Sequence, residues 1–256
     1  MSLLIDCDYI VYKCAAACED EIDFGDDVIV VTSRFSEAYA MVERELYRIA
    51  TDLGCFDDSI LFFSDSVNFR KSIDPNYKGH RNRKKPCGYK RVINKLKEEY
   101  NVVVMPTLEA DDAMGIYATK EPGHIICSPD KDMRQIPGEL YDLSDGVVTI
   151  TPEEGYRWHL IQTMAGDQTD GYAGVPGIGI KRAAALLDEH GDNWKTVVDA
   201  FAEKGLDESV ALLNARLAKI LQCEDYDFST EQVRPWLPTP ASVGTDNRAA
   251  VQDASD

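Results

Sequence analysis

The sequence predicts an α/β domain built on a mostly parallel sheet flanked by helices, followed by a helical domain. Two observations carry this. Up to about residue 150, short apolar runs alternate with amphipathic stretches, the pattern of parallel strands joined by crossover helices. From Thr151 onward the strand-like runs stop and helical segments follow one another. The expected division is residues 1–150, residues 151–237, and a tail, 238–256, whose small and polar residues predict disorder.

The strands expected are Leu3 to Asp6, Ser59 to Ser64, Val102 to Met105 and His124 to Ser128, with Val28 to Thr32 as an additional candidate. Between them Phe35, Ala38, Val42, Leu46, Ile49 and Leu53 recur at spacings of three and four, which gives a helix one apolar face. Gly88 to Tyr100 and Ala110 to Thr119 also read as helices. The second region is expected to form helices over Pro152 to Ala165, Ile180 to His190, Trp194 to Lys204 and Ser209 to Leu221.

A hydrophobic fraction of 44% is enough to build a core without covalent staples. The seven cysteines are scattered, with no C-x-x-C pair and no zinc-ligand spacing, so reduced thiols and a cytoplasmic compartment are expected. No run has the length of a membrane span or the pattern of a signal peptide, and a monomer with no membrane partner is expected. Net charge is −18, yet between Arg70 and Lys97 eleven basic residues face Asp74 alone. A basic segment beside many carboxylates points to metal chemistry on a polyanion.

The acidic residues are not spread evenly. Asp6, Asp65, Asp130 and Asp132 each follow an apolar strand-like run, in LLID, ILFFSD and HIICSPDKD. In an open α/β sheet the crevice beyond the carboxyl ends of the strands is the usual binding position, so these residues should converge. Glu109, Asp111 and Asp112 open the helix that follows TL, where the helix dipole tolerates negative charge. Any one of them could be an ordinary cap or solvated loop residue. Seven together repel unless cations hold them, and all-oxygen ligands suit Mg²⁺ or Mn²⁺, with two ions about 4 Å apart as the expected arrangement. His80, His124, His159 and His190 show no metal-ligand spacing and are expected to be structural or exposed.

Residues 166 to 183 read GDQTDGYAGVPGIGIKRA. The turn at Gly174, Gly177 and Gly179, with Lys181 entering the next helix, offers backbone N–H groups to a phosphate without reading bases. The same residues could form an ordinary helix–helix turn. The G-x-x-G-x-G pattern does not follow a strand, so a dinucleotide site is the weaker reading.

Taken in order, LLIDCD, FSDSVNFRKSIDPNYKGHR with KKPCGY after it, LEADDAMG, SPDKDMRQIPG and MAGDQTDGYAGVPGIGIKRA resemble the 5′ nuclease family. That family includes the flap endonucleases, the 5′ nuclease domain of bacterial DNA polymerase I and the short phage 5′-to-3′ exonucleases. The resemblance implies a PIN-like sheet and a helical domain with a helix-three-turn-helix element that binds duplex DNA, in which backbone oxygens hold K⁺. It places Asp6, Asp65, Glu109, Asp111 and Asp112 around a first metal position, and Asp130, Asp132, Asp167 and Asp170 around a second. Arg70, Tyr77, Lys78 and Arg81 fall where the family meets the scissile phosphate. Residues 78–97 would form an arch, with Arg83, Lys84 and Lys85 on the DNA. Cys7 stands where the family has glycine and Gly171 where it has asparagine; neither change removes a ligand, and Asp8 could share the role of Asp6.

The function expected is therefore two-metal hydrolysis of phosphodiester bonds in DNA with 5′ ends or flaps, and in RNA primers on DNA, within phage replication or recombination. Two rivals are a catalytically silent DNA-structure-binding protein and a PIN-like ribonuclease, the latter having no need of the glycine hairpin.

Overall fold

The computed structural model describes residues 2–55, 58–81, 84–144 and 146–238; Arg83 and all but the first residue of the expected tail lie outside them. The chain begins β1 (Ser2–Asp6), α1 (Cys7–Ala17), β2 (Glu19–Asp23), β3 (Ile29–Ser33), α2 (Phe35–Asp52), β4 (Ser59–Phe62), α3 (Arg70–Ile73), α4 (Tyr89–Glu99), β5 (Val102–Val103) and α5 (Ala110–Lys120). It continues β6 (His124–Cys127), β7 (Gly138–Tyr141), β8 (Val147–Ile150), α6 (Pro152–Ala165), α7 (Ile180–His190), α8 (Trp194–Ala202), α9 (Glu208–Ala218), β9 (Tyr226–Asp227) and β10 (Gln232–Val233).

The main sheet has the order β5-β4-β1-β6-β7-β8, parallel throughout except for β8. Its register pairs Ile5 with Leu61 on one side and with Cys127 on the other. The strand order reverses about β1, so the crevice between the ends of β1 and β6 is a topological switch point, the usual place for a site.

Alternation along the strands divides the core. Leu3, Ile5, Leu61 and Ile125 face α1, α2 and α4, while Leu4, Phe62 and Ile126 face α5. Helix α2 buries Ala38, Val42, Leu46 and Ile49 from its predicted stripe. Burying each of the larger of these side chains contributes roughly 1.5–3 kcal/mol. A third core lies among α6 to α9, around Leu160, Met164, Leu187 and Phe201. Helix α6 opens on a capping box between Thr151 and Glu154, with Pro152 in its first turn.

Several elements escaped the sequence reading. Helix α1 (CDYIVYKCAAA) has only a weak apolar stripe and starts directly at the end of β1, so no loop separates the two. Strand β2 is EDEID, a composition poor in strand formers, and is held by pairing with β3. After α9 the chain leaves the helices: Ile220, Leu221 and Tyr226 pack with Leu4, Phe62 and Met114 in the core under the sheet.

That return is fastened by Arg70. Its guanidinium is 1% exposed, meets both oxygens of fully buried Asp112 at 2.6 and 2.7 Å, and donates to the carbonyls of Leu217 at 3.0 Å and Lys219 at 2.5 Å. Asp112 also accepts the Leu221 amide at 3.2 Å. The resemblance put Arg70 at the scissile phosphate and Asp112 at a metal position; here Arg70 meets Asp112, backbone carbonyls and Glu109 at 3.4 Å, and both Asp112 oxygens accept from Arg70. A buried charge must be paired in full, and these two are.

Removing one partner leaves the other charge buried, so Arg70→Met or Asp112→Asn is expected to cost about 3–5 kcal/mol in urea unfolding. The double substitution Arg70→Met/Asp112→Leu should recover part of that loss, the remainder reflecting the unpaired carbonyls of Leu217 and Lys219. A double variant as unstable as the sum of the two single variants would show that the pair is not one unit.

Candidate active site

Beyond the carboxyl ends of β1, β4 and β6 lies a cleft of about 280 Å³, lined among others by Asp6, Lys78, Glu109, Asp111, Asp132 and Asp170. Asp6 ends β1 and caps α1: it accepts the Tyr9 amide at 3.2 Å, and the hydroxyl of Ser128 donates to its other oxygen at 2.9 Å. Asp130 and Asp132 follow β6, where Asp130 caps a short 3₁₀ turn by accepting the Asp132 amide at 2.9 Å. Glu109 and Asp111 come from the start of α5. Asp167 and Asp170 come from the loop after α6, across the cleft.

Lys131 and the segment after α3 supply the cations. Lys78 reaches Glu109 at 2.5 Å and Asp170 at 3.7 Å, and Arg81 reaches Asp170 at 2.6 Å. The Tyr77 hydroxyl contacts Glu109 and Asp170, at 3.0 Å each, and joins the two walls. Lys131 pairs with Asp167 at 3.0 Å. Sequence reasoning passed over Lys131, although a lysine inside the acidic run SPDKD was a visible signal.

These contacts sort the carboxylates. Burial works against ionisation at Glu109, but Lys78 and Arg70 outweigh it and hold its carboxyl down to about 2. At Asp6 burial, only partly offset by the Tyr9 amide, pushes the carboxyl up to about 6, with Asp8 and Asp130 adding to the rise. Asp132 is pushed up to about 7 by burial and then by Asp130. Asp111 rises well above the ordinary range, through burial first and then through Asp6 and Asp130.

Two expected ligands stand elsewhere. Asp65 accepts the amides of Thr107 at 2.8 Å and Ser66 at 2.6 Å, and is not among the side chains lining the cleft. Asp112 is in the core with Arg70. Asp8 lines the cleft too, and it accepts the Ser64 amide at 2.9 Å and the Tyr89 hydroxyl at 3.0 Å, which ties α1 to α4 and to the segment after β4.

No group of three or more His, Cys, Asp or Glu side chains among the described residues is arranged to hold a metal ion. The donor chemistry fits a hard divalent cation nonetheless. Asp6, Asp111 and Asp132 are oxygen donors raised by burial first and by neighbouring acids second, and Mg²⁺ keeps several waters and takes only one or two carboxylates. Of the histidines, His159 is buried against the Ala215 carbonyl at 2.9 Å, and burial brings it down to about 3, which keeps it neutral and structural.

Of the rest of the expected interface, Lys84, Lys85, Gly177, Gly179 and Lys181 are exposed, whereas Gly174 is buried and its amide donates to Asn214. Lys84 and Lys85 lie ahead of α4, and the Lys85 ammonium sits 4.6 Å from the centre of the Tyr89 ring. At the hairpin, Gly177 has φ +78° with open space around it, while Gly174 has φ +63° and packs so closely that a Cβ would meet the Gly166 nitrogen at 2.4 Å. Gly179 caps α7 without a side-chain hydrogen bond, and Lys181 is exposed in its first turn.

The family described as 5′–3′ exonuclease, N-terminal resolvase-like domain, matches residues 1–157. The chain is 29% identical to an exodeoxyribonuclease of Enterobacteria phage T3 over 92% of this chain and 92% of that protein. It is 28% identical to an exonuclease of Escherichia phage T7 over 92% of this chain and 93% of that one. Among solved structures, the phage T5 D15 protein co-crystallised with metal ions has a TM-score of 0.63 at 14% identity, over 85% of this chain and 89% of that chain. The T5 D15 flap endonuclease in a complex with DNA and metal ions has a TM-score of 0.64 at 15% identity, over 85% and 88%. At such identities the likeness is one of fold, whereas the match over residues 1–157 is one of sequence, and by it the chain belongs to the 5′–3′ exonuclease family.

Proposed function

We propose that this chain is a structure-specific 5′-to-3′ exonuclease and flap endonuclease that hydrolyses DNA in phage replication or recombination, with RNA primers on DNA as further substrates. The observation that carries the reading is one cleft with a carboxylate floor and a wall of Lys78 and Arg81. Asp6, Asp111, Asp130 and Asp132 would hold divalent metal, with Asp167 and Asp170 facing them from the helical side. Mg²⁺ or Mn²⁺, two ions in this reading, supplies when bound a water of lowered pKa and positive charge for the scissile phosphate.

The chain's own groups do the rest. Lys78 and Arg81 offset charge on the phosphate oxygens, and Lys78 starts from Glu109, a partner it can exchange for the substrate. Tyr77 keeps Glu109 and Asp170 at a fixed separation. The hairpin at Gly174, Gly177 and Gly179, with Lys181 and a K⁺ ion on its backbone oxygens, grips the duplex, while Lys84, Lys85 and Arg83 guide the strand that enters the cleft.

A 5′-labelled DNA flap is expected to be cut in Mg²⁺ or Mn²⁺ and left intact in excess EDTA, with single-stranded RNA untouched in either. Flap binding without cleavage in both metals would mark a silent DNA-binding protein, and preferential cleavage of RNA a ribonuclease.

Proton competition gives a second expectation. The Asp6 and Asp132 carboxyls lie above their unfolded values, so the folded, metal-free chain binds extra protons, and the stability this contributes is lost as pH rises through about 6 and about 7. A divalent ion replaces those protons. The rise in melting temperature on adding Mg²⁺ should therefore grow between about pH 5 and about pH 8. A rise that is the same across that range would remove both residues from the ligand set.

Catalysis and grip should separate by substitution. Lys78→Ala is expected to lower the single-turnover rate at saturating DNA by about 10²-fold, more than it lowers affinity. Lys181→Ala acts on binding, weakening all duplex sequences alike and reducing the slope of log K against log salt by about one. Loss of affinity alone in the Lys78 variant would make that residue a general attractor of DNA.

A further inference from the structure

Behind Asp132 a chain of two amides runs into the core. The Gln162 side chain donates to Asp132 Oδ1 at 2.5 Å and accepts from the Gln135 Nε2 at 2.6 Å. Gln135 donates a second time, to the Ala218 carbonyl at 2.7 Å, and its oxygen accepts the Ile220 amide at 3.0 Å. Gln135 and Gln162 are 1% and 3% exposed, so water does not substitute for any of these partners.

The polarity of the chain is fixed from its backbone end. Gln135 turns its Nε2 to Gln162, and a donor must meet an acceptor, so Gln162 turns its oxygen to Gln135 and its NH₂ to Asp132. The Ala218 carbonyl only accepts and the Ile220 amide only donates, which sets Gln135 the same way. Flipping either amide would leave buried groups unpaired, at a cost of about 1–3 kcal/mol each. Spacing is fixed as well: a Cβ at Gly155, two turns before Gln162 on α6, would lie 2.4 Å from the Gln135 carbonyl oxygen, so α6 is pressed against that backbone.

We propose that Gln162, backed by Gln135, is a positioning residue for the nuclease reaction: it holds one Asp132 oxygen so that the other is presented to the divalent ion, and it makes that orientation depend on how residues 218–220 are seated. This rests on the reading of Asp132 as a metal ligand. Arg70 secures the same stretch of chain from the other side, through the carbonyls of Leu217 and Lys219. Displacing residues 218–220 would therefore release the Asp132 carboxylate as well as the fold. A partner standing one step behind a metal ligand fixes that ligand's orientation, and its loss typically costs about 10–100-fold in metal affinity or activity.

The test is Gln162→Met, which keeps length and removes both hydrogen bonds. Calorimetric titration of the DNA-free chain with Mn²⁺ is expected to show affinity reduced by about tenfold or more. Single-turnover cleavage of flap DNA should fall by a similar factor and recover as Mn²⁺ is raised, while flap affinity in EDTA stays within about twofold of the original. In an Asp132→Asn background the same substitution should add nothing, because a residue that acts through Asp132 has no separate effect once that carboxylate is gone. Unchanged Mn²⁺ affinity in a folded Gln162→Met chain overturns the proposal, as do losses that simply add in the double variant. Should the Met variant not fold, Gln162→Asn keeps an amide one methylene short of Asp132, and wild-type Mn²⁺ affinity there overturns it equally. Asp132→Asn measured alone separates the two layers: if it binds Mn²⁺ as the original chain does, the ligand role of Asp132 is what has failed.

Discussion

A guanidinium sealed from water, as that of Arg70 is, must find all its hydrogen bonds inside the protein, and the ones it finds come from parts of the chain far apart in sequence. Asp112 on α5 takes two, and the carbonyls of Leu217 and Lys219 take others, while the Phe69 and Tyr77 rings flank the charge. The arrangement locks the segment after α3, the start of α5 and the end of the helical region into one joint. The cleft is the open side of that joint. Glu109 lies one turn before Asp112, Tyr77 and Lys78 follow Arg70 out of α3, and Leu217 and Ala218 line the cleft wall. The cationic wall therefore stands opposite the strand ends because a buried charge required it.

Within the cleft, carboxylates of the same kind have opposite fates. Lys78 with Arg70 holds Glu109 below its ordinary value against burial, and the Thr169 hydroxyl with Lys131 does so for Asp167, whereas at Asp170 burial outweighs Lys78 and Arg81 and the carboxyl rises. Where burial and neighbouring acids act without an equal offset, at Asp6, Asp111 and Asp132, the acid rises. In a chain of net charge −18 the fold has thus kept a small set of acids that its own lysines do not fully offset, and that a proton or an external cation can neutralise. The paired acids hold Lys78 and Arg81 in place beside that set, which brings charges of both signs within reach of one phosphate.

Much of the architecture was legible because it is written in local periodicity. The stripe on α2, the helix over Pro152 to Ala165 and the apolar runs of β1, β4 and β6 depend on near neighbours only, and the structure carries all of them. Elements without a local signal were missed. Helix α1 has only a weak stripe, the acidic β2 exists only through its pairing with β3, and residues 220–226 leave the helices because their apolar side chains complete the core under the sheet. The site divides in the same way. The convergence of Asp6, Asp130 and Asp132 follows from strand ends in a parallel sheet, whereas nothing local marks Gln135 or Gln162 as standing behind Asp132.

By itself the sequence determined which residue types gather at the strand ends, where α2 and the helices from α4 to α8 lie, and that a glycine turn leads into α7, since each of these follows from spacing along the chain. Only the tertiary structure decided what each acid does. Asp111 and Asp112 are adjacent and chemically identical, yet a step of about 100° around the helix turns the first toward Asp6 and the cleft and the second toward Arg70 and the core. Asp65 looks like Asp6 in sequence, each closing an apolar run, but the amides of Thr107 and Ser66 claim it for a loop. The physical reason is the same in each case. A carboxylate's role is set by the charges and donors that reach it, and those arrive from parts of the chain that only folding brings near.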